Sequence, residues 1–161
     1  MVRAADSPFD RVLHEVRVYR GLPSPTRQPK GYAAARAQIS VWQQLPKVKV
    51  VTRPLQYPDN WPAEKANEKG VDVQLALDMA LMAHKRAYEV GILMSLDTDL
   101  KPILESVADL TRAWGKPRAE AAAYSAAGQR CGRLPLPGQR VYCHWIDEAV
   151  YKSLRDDTDY T

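Results

Sequence analysis

At 161 residues, 45% hydrophobic and 26% charged, the sequence has the makeup of one ordinary globular domain able to bury a sizeable core. No apolar run approaches the roughly 20 residues that span a bilayer, and the opening M-V-R-A-A-D-S-P-F-D has no apolar signal core, so nothing points to a membrane or to export and a cytoplasmic location is expected. A formal charge of +4 permits an anionic partner such as nucleic acid without demanding one, and Cys131 and Cys143 read as reduced thiols rather than as a disulfide framework.

In chain order, Arg11 to Arg20 carries Val12, Val16 and Val18 and reads as a β-branched strand. A Pro-rich connection from Gly21 to Pro29 leads to a helix over Lys30 to Leu45, striped by Ala34, Ala37, Ile39 and Val41/Trp42 and stopped by Pro46. Lys47 to Arg53 is the second strand, and the turn-rich run from Pro54 to Asn67 is an irregular loop. A helix then begins near Gly70 and Asp72 with Val73, Leu75, Ala76, Leu77, Met79, Ala80 and Met82. Tyr88 to Met94 is a short apolar run without alternation, which suits a strand covered on both faces. Leu100 to Trp114 is a helix with Ile103, Leu104, Val107 and Leu110 on one face, ended by Gly115-Lys116-Pro117. Ala119 to Ala126 is Ala-rich and reads as a strand by its place after a helix, and Gln129 to Gln139 is rich in turn signals. Arg140 to Trp145 is a short strand or extended segment, Ile146 to Leu154 a last helix, and D-D-T-D-Y-T a polar tail. Strands alternating with helices predict an α/β fold with a mainly parallel sheet.

Ser95-Leu96-Asp97-Thr98-Asp99 sits where the Tyr88–Met94 strand ends, and open α/β sheets bind ligands beyond the carboxyl ends of their strands. Asp97 and Asp99, with Asp72 at the head of the preceding helix, therefore make a candidate site for a hard cation, Mg²⁺ or Mn²⁺, which takes carboxylates, waters and substrate phosphates. The plainer reading stays open. Ser95, Asp97 or Thr98 can cap the following helix for about 1 kcal/mol, and Asp99 and Asp72 can simply favour a helix dipole. Asp78 interrupts an apolar helix run and is either on an exposed stripe or buried against a partner; it reads as a member of a structural ion pair rather than as a catalytic group, since an unpaired buried carboxylate is costly. His14, His84 and His144 have no partner at metal-ligand spacing, and there is no Gly-rich phosphate loop and no G-x-S-x-G elbow.

Basic residues are scattered, and most read as solvated surface. Arg53, Lys65, Lys69 and Lys101, in loops flanking the acidic centre, are the candidates for phosphate contacts. Tyr57 and Trp61 either stack on bases or plug the underside of their loop.

Three segments resemble the NYN-domain family of the PIN-like nuclease superfamily. They are K-G-V-D-V-Q-L-A-L-D from Lys69, V-G-I-L-M-S-L-D-T-D-L-K-P from Val90, and the C-terminal C-H-W-I-D-E-A-V-Y-K-S-L-R-D-D-T-D-Y-T. The resemblance implies a single three-layer α/β/α, Rossmann-like domain over residues 1–161, with a core at 11–126 and a C-terminal extension at 127–161. It implies Asp72, Asp97 and Asp99 as catalytic and metal-binding acids and Ser95 as a neighbouring site residue; Lys69 and Lys101 are the substrate contacts expected from their place in the flanking loops. The expected chemistry is Mg²⁺- or Mn²⁺-dependent hydrolysis of RNA, with a catalytically inactive RNA-binding or protein-interaction module as the alternative. RNA is the expected partner, a membrane is not, and a homo-oligomer is open. The family's central first strand, ending in D-G-x-N, has no counterpart in Met1 to Asp10, so impaired activity and two strands with unpaired edges are expected.

Overall fold

The structure is a computed structural model that describes residues 10–126, 129–130, 134 and 141–160. Its elements run β1 (Val16–Leu22), α1 (Pro29–Gln44), β2 (Val48–Pro54), α2 (Val71–His84), β3 (Val90–Leu93), α3 (Lys101–Trp114), β4 (Arg118–Ala126), β5 (Gln129–Arg130), β6 (Cys143–Asp147) and α4 (Glu148–Leu154). Helices and parallel strands interleave, so the fold is α/β, as the alternation of patterns implied. Two compact units divide it, one within Met1–Val71 and Asp159–Thr161, the other Asp72–Thr158.

In the first unit β1 and β2 pair in parallel from Val16↔Val48 to Leu22↔Pro54. The strand expected at Arg11 starts five residues later, because Val12 and Leu13 have no strand pairing among the described residues and lie exposed. The crossover helix α1 buries Ala35 and Ile39, four residues apart on one face. Glu15 binds both Arg17 and Lys49 and so ties the N-terminal ends of the two strands. The expected irregular loop is pinned at its base by the bridge Gln56↔Asn67. Within it Tyr57 packs edge-on to Trp61 at 5.0 Å, donates its hydroxyl to Gln28 and accepts the Ser24 N–H at 2.7 Å. Those rings anchor the loop, which is the plug reading of the pair. Gly70 closes the unit with φ +74, a left-handed conformation that Gly adopts without the strain of a Cβ.

The second unit is a sheet in the order β3–β4, with β6 parallel to β4 on its far side and β5 antiparallel to its end. Leu100, Ile103, Leu104 and Val107 are buried at helical spacing, and with Leu93 and Ala83 they form the core. Leu75, Ala76 and Met79 of α2 pack against the same cluster, so both helices lie on the Leu93 face of β3. Ile92, on the opposite face, is half exposed, which corrects the reading of β3 as covered on both sides. Register places Ile92 beside Glu120, and Ala122 beside His144, on that second face. Left-handed Gly115, with φ 75, terminates α3 by returning its N–H to Thr111. Among the described residues β1 and β3 each carry a strand on one edge only.

Candidate functional site

β3 ends at Leu93, and the chain leaves its carboxyl end through Ser95 into a short 3₁₀ turn, Thr98–Leu100, that runs straight into α3. Two local hydrogen bonds shape the turn. The Ser95 hydroxyl accepts the Asp97 N–H at 3.1 Å, and Asp97 Oδ1 accepts the Asp99 N–H at 2.8 Å. Asp97 is therefore the N-cap, in extended conformation with φ −68 and ψ 123, the role that the plainer reading allowed it. Leu100 is buried beneath, which fixes the turn against the core, while both aspartates remain exposed. Capping uses one oxygen of Asp97. Its second oxygen and the whole Asp99 carboxylate are open, and Asp99 has no side-chain partner among the described residues.

Ser95, Asp97 and Asp99 are thus brought together, and Lys101 follows at the start of α3. Asp72 is exposed in the first turn of α2, in the same unit. Lys69 belongs to the first unit, where the adjacent Glu68 accepts the Gly21 N–H at 2.6 Å. Among the described residues no three His, Cys, Asp or Glu side chains group closely enough to hold a metal ion, so Asp72, Asp97 and Asp99 do not form a three-ligand cluster. The donor chemistry of the Asp97–Asp99 pair still suits a hard cation. Mg²⁺ keeps several waters and is commonly held by one or two carboxylates plus substrate phosphates.

Asp78 accepts a hydrogen bond from Gln74 Nε2 at 2.9 Å, one helical turn away. The contact seen there is to a side-chain amide of the same helix, where an ion pair was expected. Sequence reasoning missed another pair altogether. His144 Nε2 and Glu120 Oε2 lie 2.7 Å apart on the second face of the sheet, Glu120 being the one buried charged residue among those described. The residues are 24 apart in sequence, and only the parallel pairing of β4 and β6 joins them. Cys143 is buried, with its thiol donating to the His144 carbonyl at 3.8 Å, and Cys131 lies outside the described residues.

An α/β unit with exposed carboxylates at the carboxyl end of a parallel strand is the form taken by many phosphate-handling domains. A family comparison narrows the class: the NYN domain family matches residues 10–115, more than half of the chain, and the chain belongs to that family, within the PIN-like nuclease superfamily. The match contains Asp72, Asp97 and Asp99 and stops before β4, so β6 and α4 fall outside it. Membership carries a nuclease-type, RNA-related function at the level of the family. No curated protein and no solved structure matches the chain. No helix among the described residues is long and apolar enough to cross a membrane.

Proposed function

We propose that this chain is a divalent-metal-dependent ribonuclease domain that hydrolyses RNA phosphodiesters at the carboxyl end of β3. The observation that supports this reading best is the turn itself, which leaves Asp99 and half of Asp97 free beside a strand end in a chain of a nuclease-type family. Asp97 and Asp99 would hold Mg²⁺ or Mn²⁺, with the remaining positions filled by water and substrate phosphate, and Asp72, which forms no three-ligand cluster with them, would act on the ion only through bound water. Such an ion orients an attacking water and offsets charge on the phosphate and the leaving oxygen. Ser95 keeps Asp97 in place through its hydroxyl. Lys101 and Lys69 are assigned to phosphate contacts, which position a strand without reading its sequence.

The test is cleavage of single-stranded RNA in the presence of Mn²⁺, comparing the chain with an Asp97→Asn/Asp99→Asn double variant. Metal-assisted charge stabilisation contributes several kcal/mol, so the double variant should be roughly a hundredfold slower or worse. A second reading, a catalytically inactive RNA-binding module, is favoured by the use of Asp97 as a cap, which engages one of its oxygens. RNA retention that survives EDTA, with no strand scission in Mn²⁺, would decide for that reading.

A further inference from the structure

At the opposite end of the sheet from the acids, the segments 84–90 and 114–118 meet where β3 and β4 begin, joined by the Arg118 N–H to Glu89 C=O hydrogen bond at 2.9 Å. Between them lies an open recess of about 440 Å³ lined by Arg86, Tyr88, Glu89, Trp114, Lys116 and neighbouring backbone. That volume is within the range of small-ligand pockets. Its wall is the Trp114 indole, 41% exposed although it ends a helix whose other face is the core.

Positive charge gathers around this ring. The Arg86 guanidinium stands 5.0 Å from the indole centroid, and the His84 ring lies 5.7 Å away at 52°. Glu89 neutralises Lys116, whereas Arg86, which lines the recess, has no carboxylate partner among the described residues. Arg86 also occupies a left-handed position, φ 54, immediately after α2, where Gly is the favoured residue. An arginine here is tolerated at a conformational cost, and its head group is kept over an exposed aromatic face.

From this arrangement we infer a second ligand site, remote from the acids, for a nucleobase with its attached phosphate: the base stacks on Trp114, and Arg86 binds the phosphate. Bases stack on indole rings irrespective of sequence, and guanidinium combines stacking with bidentate phosphate binding. The base and phosphate can belong to a free nucleotide or to an RNA strand, and the inference is independent of whether the acids cleave.

The test titrates the chain, in EDTA, with AMP and with a short oligoadenylate. Quenching of Trp114 fluorescence is taken as the difference from a Trp114→Phe variant. Binding is then repeated with Arg86→Gly, and with Asp97→Asn/Asp99→Asn as the control for the acidic site. Arg86→Gly should bind about tenfold more weakly, while its thermal midpoint rises by about 2–4 °C as the left-handed position gains its favoured residue. The double aspartate variant should bind as the parent does. Saturable quenching by both probes assigns the site to free nucleotides as well as strands, and quenching by the oligomer alone assigns it to a strand. Absence of quenching by either probe, or binding that Arg86→Gly leaves unchanged, overturns the inference.

Discussion

At Asp97 the observed cap can be separated from the proposed cation ligand, because its Oδ1 caps the turn while its other oxygen is not engaged by it. Asparagine caps about as well as aspartate, whereas alanine does not. Asp97→Asn should therefore leave denaturant stability nearly unchanged and weaken Mn²⁺ binding, and Asp97→Ala should in addition lose about 1 kcal/mol of stability. Asp78, bonded to Gln74 and half-buried, should behave in the opposite sense. Asp78→Asn should affect unfolding more than metal affinity, and an Mn²⁺ titration in which it matches Asp97→Asn would move Asp78 into the site. Glu15 titrates differently again. Hydrogen bonds from Lys49 and Arg17 hold its carboxyl below the ordinary value of 4.5. A depressed folded value stabilises the native state above that ordinary value, and the contribution disappears as pH falls through the lowered one. Glu15→Gln should accordingly flatten the acid limb of the stability–pH curve below about pH 4.5 and leave the alkaline limb alone. Tyr88 acts on that other limb: burial pushes its phenol up to about 12 from 10, so its contribution is present below pH 10 and lost as pH rises towards 12.

Between elements, α2 and α3 of the second unit differ in how they are held. α3 places Ile103, Leu104 and Val107 in the core and ends on a left-handed glycine. Leu104 is completely buried, so Leu104→Ala should cost about 2–5 kcal/mol, measured by denaturant unfolding. Gly115 has open space where a Cβ would project, so Gly115→Ala introduces no clash. Its cost is conformational alone, about 1 kcal/mol. On α2, Val73, Leu77 and Leu81 are exposed at four-residue spacing while Leu75, Ala76 and Met79 face the core cluster. Val73→Ala should therefore stay within about 0.5 kcal/mol, and the contrast with Leu104→Ala measures burial directly.

For the molecule as a whole, a formal charge of +4 makes association with RNA salt-dependent, because each neutralised phosphate releases counterions. Affinity for single-stranded RNA should fall steadily as salt rises, with a slope that Lys→Gln changes at Lys69 and Lys101 reduce by up to about 0.7 for each phosphate no longer neutralised. Residue order alone determined the alternation of helices and parallel strands, because side-chain period and turn residues act over a few positions. The helix over Leu100 to Trp114, its Gly115 stop and the acids after β3 were legible for that reason, and the motifs around Asp72, Asp97 and Asp99 sufficed to assign the family. Strand limits were less so, since pairing with β2, not β-branched composition, decides that β1 begins at Val16. Tertiary structure alone decided what depends on groups far apart in the chain: the Glu120–His144 pair, the exposed Ile92 face of β3, and the Arg86 guanidinium over Trp114. A local pattern cannot specify which strand lies beside which, and those three features exist only because β3, β4 and β6 lie side by side.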